Sequence, residues 1–397
     1  MNQSPLSRLP ASVWTLGVVS MLMDVSSELI HSLLPLFLVT ALGASTFAVG
    51  LIEGIAEATA MMTKLFSGYL SDYVRRRKPL VVIGYGLSAL TKPIFPVASS
   101  FGWVVFARFL DRVGKGVRDA PRDALIADIT PGDLRGSAYG LRQALDTVGA
   151  VAGPLLAIGA MLWLANNFRL AFWLAVVPAF AAVIVLMLGV REPEATEHAA
   201  ARAPRIRFSD CRRLPVAYWW VVAFAAVMTL ARFSEAFLIL RAQSVHMATA
   251  WIPLVMVVMS IVYALIAFPA GVVADRGHQT WLLSGGLLAL IVADLILVGA
   301  GTARQVIAGT AVWGVHMGLT QGLLAALVAQ TAPQELRGTA FGAFNFVSGV
   351  ALLAASAFAG WLWDAVGPAF TFGASAIFAA IAWVGLLARR RSGPRAV

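Results

Sequence analysis

Apolar runs of about 20 residues recur along the whole chain, and no other feature limits its fold as strongly. An α-helix rises about 1.5 Å per residue, so each run is long enough to cross a hydrocarbon layer of about 30 Å. Inside such a layer every backbone polar group must be bonded within the protein, which leaves helices or a closed barrel. Long apolar runs without strict alternation select helices. Of the 397 residues, 59% are hydrophobic and 13% charged, against roughly a quarter charged in ordinary soluble domains. The chain is therefore expected to be an all-α, multi-pass membrane protein.

Twelve spans are expected, over residues 13–39, 47–70, 79–98, 102–122, 137–162, 170–190, 216–240, 250–273, 281–300, 305–329, 338–362 and 368–388. The first run extends from Ala11 past Val39, too long for the apolar part of a cleaved leader, and reads as a membrane helix. Basic residues concentrate in alternate loops: Arg75 to Lys78, Arg118 to Arg135, Arg191 to Arg213, Arg276, Arg337 and Arg389 to Arg391 on one side. The other side offers Arg169, Arg241 and Arg304. The positive-inside rule then places both termini in the cytoplasm. A net charge of +10 spread this way lacks the continuous basic face of a nucleic-acid reader, so the expected partner is the lipid bilayer and not nucleic acid. The single Cys211 excludes a disulfide framework within one chain.

The polar, proline-containing stretch Arg191–Pro215 falls at mid-chain and reads as a cytoplasmic linker, 191–215, between a bundle at 1–190 and a second at 216–397. The two halves echo one another. Leu134-Arg-Gly-Ser-Ala-Tyr-Gly140 returns as Leu336-Arg-Gly-Thr-Ala-Phe-Gly342, an offset of 202 residues, and Gly68-Tyr-Leu-Ser-Asp72 returns as Gly271-Val-Val-Ala-Asp275 at almost the same offset. Six spans bring the chain back to its starting side, so the duplicated units are parallel repeats, an arrangement that puts a transport site between the halves near the midplane.

The loop after the second span carries Gly68, Leu70, Asp72, Arg76 and Arg77 in the pattern Gly-x-Leu-x-Asp-Arg-x-Gly-Arg-Arg, with Tyr73 and Arg75 at two positions that depart from it. Its second-half copy keeps Gly271, Asp275 and Arg276. In the fourth span Arg112-Val-Gly-Lys115-Gly116 is similar to Arg-x-x-Gln-Gly, and in the fifth Gly149-Ala-Val-Ala-Gly153-Pro154 is similar to an antiporter signature. On these motifs the whole chain resembles the major facilitator superfamily. The resemblance implies two six-helix bundles, a functional monomer in a bacterial-type inner membrane, and no cofactor. It also implies a cytoplasmic gate at Gly68, Asp72, Arg76, Arg77, Arg135, Asp275, Arg276 and Arg337. Asp72 suits the capping of a helix N-terminus, and Arg76, Arg77 and Arg135 suit pairing with it, with Asp128 or with Asp133; the same charges also serve topology. Gly149 and Gly153 suit close helix approach, and Pro154 weakens the helix beyond it.

Asp24, Glu28 and His31 follow helical spacing and share one face. An acid near mid-membrane costs about 2.5–3.5 kcal/mol on the insertion scale, so such groups turn toward a cavity or a partner. Glu53, Glu57 and Lys64 share a face of the second span, and His31 is expected to pair with Glu53. Arg112 lies in the fourth span, Arg232 and Glu235 in the seventh, and His316 in the tenth. The resemblance implies that Asp24, Glu28, Arg112, Arg232, Glu235 and His316 line one chamber. These acids then carry protons, a cationic solute or both, or else form a static ion-pair network.

The leading expectation is a secondary active transporter, proton-coupled, exporting a small organic molecule. One rival is a transporter of divalent metal or metal chelates that uses the same acids; no resident metal site is expected, since His-rich tracts and His-x-x-x-His pairs do not occur. A second rival is a sensor or lipid-handling protein that keeps the fold without solute flux. No phosphate-binding loop occurs, and no nucleophile–base–acid set points to an enzyme.

Overall fold

The computed structural model describes residues 5–74, 77–190 and 208–391. Its α-helices are α1 (Ala11–Leu36), α2 (Thr46–Val74), α3 (Arg77–Thr91), α4 (Ile94–Val97), α5 (Phe101–Ile129), α6 (Arg135–Trp163), α7 (Phe168–Gly189), α8 (Val216–Ala231), α9 (Ala236–Ser244), α10 (Leu254–Asp275), α11 (Gln279–Val298), α12 (Ala303–Thr320), α13 (Leu323–Thr331), α14 (Arg337–Val366) and α15 (Pro368–Arg391). Among the described residues there are no strands. Three pairs, α3 with α4, α8 with α9, and α12 with α13, each form one interrupted segment, so the helices make up the twelve expected segments.

Each interruption has a local cause. Pro93 follows Lys92 between α3 and α4. Gly322 sits at φ +88° between α12 and α13, a conformation that costs a residue with a side chain. Between α8 and α9 the chain runs through Arg232, Phe233, Ser234 and Glu235, where the Ser234 Oγ accepts from the Ala236 N–H at 3.2 Å and the Ser234 N–H donates to Ser356 Oγ at 3.2 Å. α1 ends differently: Pro35 lies in its last turn, and the helix widens into a π-helical turn at Phe37–Ala41.

Among the described residues ten segments are apolar enough and long enough to span a membrane; the charge-bearing α2 and α5 fall short. Large apolar side chains such as Trp163, Leu188, Val216 and Phe268 are 80–91% exposed, the surface expected of a protein solvated by lipid tails and not by water. α5 also runs to Ile129, beyond residue 122, so Arg118 and Arg122 are buried helix residues and not part of a basic loop.

The described residues form two compact units, one within 1–37 and 59–203 and the other within 38–58 and 204–397. In the first, Leu16, Val19 and Met23 of α1 pack with Val81 and Tyr85 of α3, Leu125 and Ile126 of α5, and Ala179, Ala182 and Leu186 of α7. In the second, the first turn of α2 is capped by Asp364 of α14, whose carboxylate accepts the Thr46 N–H at 3.1 Å and the Phe47 N–H at 2.8 Å. An acid at the positive end of a helix bonds two otherwise orphaned donors. The 202-residue repeat is also visible in local structure. Pro131 (φ −53°, ψ 145°) and Leu134 (−106°, −4°) lead into α6 through a 3-10 turn, and Pro333 (−55°, 145°) and Leu336 (−108°, 4°) lead into α14 through another.

Candidate functional site

Asp24, Glu28 and His31 do share a face of α1, held close to α6 by glycine. A Cβ placed on Gly149 would stand 2.7 Å from the Met21 carbonyl oxygen and 2.8 Å from the Asp24 Cβ; one on Gly153 would stand 2.8 Å from the Glu28 Cβ and 2.8 Å from the Val25 carbonyl oxygen. Such distances admit no side chain, so these two glycines let α6 pass directly beside the two acids. Pro154, also buried, does not stop the helix, which continues to Trp163. Asp24 and Glu28 are half-buried. His31 Nδ1 lies 3.4 Å from Glu28 Oε2, a pairing within one helix. The charges that act on Glu28 include His31, Lys115 and Arg112, and those on Asp24 include Asp146, Lys115, Arg118 and Glu28.

α5 supplies most of that field. Among its charged residues, Arg108, Asp111, Arg112, Lys115, Arg118, Asp119 and Arg122 recur at three- and four-residue steps, which places them along one side of the helix. Lys92, between α3 and α4, donates to Asp111 Oδ1 at 2.8 Å and to Ser27 Oγ of α1 at 3.0 Å, with both charged side chains almost fully buried. Arg118 lies 4.7 Å over the Tyr85 ring and donates to Ser88 Oγ at 2.7 Å. Arg122 donates to Ser20 Oγ of α1 at 2.9 Å and pairs with Asp123 at 3.0 Å. Arg142 of α6 pairs with Asp146 at 2.9 Å and lies 3.8 Å from Asp123 of α5, whose carbonyl accepts from the Tyr139 hydroxyl of α6 at 2.8 Å. These bonds tie α1, α3, α5 and α6 of the first unit into one polar network, and the charge of Lys115 acts on Asp24, Glu28 and Asp119.

The remaining candidates belong to the second unit. Arg232 caps α8 at the interruption, with Nη1 3.2 Å from Met317 Sδ; Glu235 and Glu57 are the acids that act on it. Glu53 is buried, 1% exposed. His316 is fully buried, its Nδ1 2.8 Å from the Gly286 carbonyl oxygen, and its ring meets Trp313 edge-on. Phe233, within the interruption, packs against Phe237, Trp313 and Phe372 at centroid distances of 5.0, 5.7 and 5.4 Å. The geometry thus groups Asp24, Glu28, His31 and Arg112 in one unit, and Glu57, Arg232 and Glu235 in the other.

Of the expected gate residues, Gly68 lies beside α5, where a Cβ would meet that of Ala120 at 3.5 Å. Arg77 pairs with Asp128, Nε to Oδ2 3.0 Å, and Asp133 is taken by Arg8 at 3.3 Å. Arg135, Asp275, Arg276 and Arg337 are exposed and make no ion pair among the described residues. Arg76 and the Asp72 side chain lie outside the described residues, as does most of the linker.

Sequence reasoning missed Lys92, Asp111, Arg118, Asp119, Arg122 and Asp146 as members of the network. The three-and-four spacing continues from Asp111 through Arg122 of α5, but only the bonds to Ser20, Ser88 and Tyr85 distinguish that stretch from a charged loop.

Comparison with known proteins points one way. The model of the Major Facilitator Superfamily matches residues 16–356 and 236–397. An uncharacterised MFS-type transporter of Methanocaldococcus jannaschii is 32% identical over 386 residues, 96% of this chain and 95% of that protein. The inner membrane transport protein YajR of Escherichia coli is 24% identical over 401 residues, 96% of this chain and 84% of that protein. Among solved structures, a mutant of the peptide transporter POT superimposes with a TM-score of 0.79 at 16% identity, over 96% of this chain and 95% of the other; at that identity the likeness is one of fold.

Proposed function

Since the chain belongs to the Major Facilitator Superfamily, we propose that it is a secondary active transporter working by alternating access, and that it exports a small organic solute in exchange for protons. The observation that carries this reading is the pair of half-buried acids on α1, one turn apart and packed against Gly149 and Gly153 of α6, with the charge of Lys115 acting on both within one unit. A proton arriving on Asp24 or Glu28 removes a negative charge from this cluster and releases Lys115 from part of its attraction; its departure restores the anion. A cationic solute competes for the same carboxylates, so proton and solute exclude one another. That mutual exclusion is the chemical requirement for exchange. The glycine pair that admits α6 beside Asp24 and Glu28 falls in the stretch that resembles the antiporter signature, which supports export over uptake.

In this reading residues 1–190 and 216–397 act as duplicated halves joined by a cytoplasmic linker at 191–215, the termini are cytoplasmic, and a monomer in a prokaryotic inner membrane suffices. Gly68, Asp72, Arg76, Arg77, Arg135 and their second-half counterparts Asp275, Arg276 and Arg337 act as a charge latch that opens and closes once per cycle. Glu57, Arg232 and Glu235 contribute a second charged set, and His316 a buried ring.

The test is proton release from the purified protein in weakly buffered detergent on addition of lipophilic cations such as tetraphenylphosphonium, compared with Zn²⁺ and Mn²⁺. Release by the organic cations, lost in Asp24→Asn with Glu28→Gln, is the expected result. Release by the metals alone would identify a metal transporter instead, and no release by either class would leave a protein that keeps the fold without coupled transport.

A further inference from the structure

We infer that Asp294 of α11, Ser375 of α15 and the main-chain carbonyl of Ala231 form a proton-binding site in the second unit, separate from the acids of α1, in which the proton sits on Asp294 and frees the Ser375 hydroxyl to bond the interrupted end of α8. The three groups are 0%, 2% and 0% exposed. The Ser375 hydroxyl oxygen lies 2.5 Å from Asp294 Oδ2 and 2.5 Å from the Ala231 carbonyl oxygen. A hydroxyl has one hydrogen to donate, whereas a carbonyl and a carboxylate only accept. Two contacts of this length around one serine therefore need a second hydrogen, and the carboxyl group of Asp294 is the one place that can carry it. The resulting chain runs from Asp294 O–H to Ser375 Oγ, and from Ser375 O–H to the Ala231 carbonyl.

The surroundings agree. Asp294 Oδ1 is buried without a hydrogen-bond partner, and among the described residues no Lys, Arg or His forms an ion pair with this carboxyl group. The charged and titratable groups on the elements around α11 are engaged elsewhere or lie at element ends. On α12, His316 meets the Gly286 carbonyl and Arg304 belongs to the first turn; on α10 these groups are Tyr263 and the terminal Asp275. Tyr218 of α8 donates to the Ala340 carbonyl, Arg232 reaches Met317 Sδ, and Arg241 of α9 donates to the carbonyls of Leu297, Val298 and Ala300. α15 carries no charged residue before Arg389. An ionised Asp294 would be a buried anion without a cation, set beside a serine already held by another acceptor.

The consequence concerns the interruption. Ala231 is the last residue of α8, and its carbonyl has no donor in the helix because the chain breaks at Arg232. Ser375 supplies the donor only while Asp294 keeps the proton. When that proton leaves to water or hydroxide, the serine hydrogen turns to the new carboxylate, and the end of α8 loses its bond. Protonation at this site and the shape of the interruption are therefore one equilibrium.

Infrared spectroscopy of the substrate-free protein in lipid nanodiscs at neutral pH tests this directly, and it needs no flux, so its outcome is independent of the transport reading above. In Asp294→Asn minus wild type, one protonated-carboxyl C=O stretching band should vanish. In Ser375→Ala the same band should persist and move to higher frequency, because the carboxyl group loses its acceptor. An unchanged carboxyl region in Asp294→Asn, or a band that Ser375→Ala leaves in place, would overturn the proposal. Should Asp294→Asn fail to fold, the presence or absence of the Ser375→Ala shift decides.

Discussion

Gly153 of α6 lies against Glu28 of α1 so closely that the two Cβ positions would be 2.8 Å apart if the glycine had one. The close approach of α1 and α6, and with it the position of an ionisable group inside the first unit, depends on the absence of a single carbon atom. Gly149 stands in the same relation to Asp24.

Replacing either glycine with alanine should therefore displace α1. Overpacking of a tight contact typically costs about 1–3 kcal/mol, and here backbone oxygens at 2.7–2.8 Å leave little room to relax. Thermal unfolding in detergent should show Gly149→Ala and Gly153→Ala several degrees below the parent. An unchanged melting temperature in both would mean that α1 and α6 are not packed as described.

The Lys92–Asp111 pair gives a second measurement. Removing one member of a buried pair leaves an uncompensated charge, at a cost of about 3–5 kcal/mol, whereas replacing both with apolar groups is often close to neutral. Lys92→Met should accordingly unfold far more readily than the double variant Lys92→Met with Asp111→Leu. A double variant no more stable than Lys92→Met would argue against a direct interaction.

On the acids of α1, Asp24→Asn and Glu28→Gln preserve shape and fix each group neutral, like its protonated form. At least one should abolish proton-driven transport in reconstituted vesicles while folding and expression stay near those of the parent, and it should still allow exchange that moves no net proton. The sign follows from the chemistry: a group that cannot lose its proton cannot respond to alkalinisation, so the pH dependence of transport should flatten in that variant. Wild-type pH profiles in both would remove α1 from the proton path.

Asp364 can be read by hydrogen exchange. Its carboxylate bonds the first two N–H groups of α2, and loss of a cap costs about 1 kcal/mol. Asp364→Ala should raise the exchange rate of the Thr46 and Phe47 amides several-fold, with Asp364→Asn intermediate because its amide oxygen still accepts. Equal rates in all three proteins would show that the carboxylate does not hold this helix end.

How much of this is written in the sequence depends on the physical signal each part leaves. The twelve segments follow from apolar length alone, because lipid imposes that length directly. The facing of Asp24, Glu28 and His31 follows from spacing. The reach of α5 does not: composition cannot separate a buried helix carrying Arg118, Asp119, Arg122 and Asp123 from a cytoplasmic loop, and only the partners Ser20, Ser88 and Tyr85, far away in sequence, make it helical interior. Lys92 is similar, since its meaning lies in Asp111 and Ser27. The interruption after Ala231 has neither proline nor glycine to announce it, and its hydrogen-bond partners are Ser356 and Ser375, more than a hundred residues later. His31 meets Glu28 on its own helix, a local pairing that the sequence reading does not include.

The charge on α5 bears on how such a protein enters the membrane at all. A nascent helix partitions into lipid by its own hydrophobicity, and each central Arg, Lys or Asp opposes that by about 2.5–3.5 kcal/mol. α5 carries Arg108, Asp111, Arg112, Lys115, Arg118 and Asp119 and is not among the segments apolar enough to cross unaided. Its Asp111 becomes tolerable beside Lys92, and its Arg122 beside Ser20, residues synthesised earlier. The order of synthesis suits this need: α1 and α3, which hold the partners of α5, precede it in the chain and are made before it.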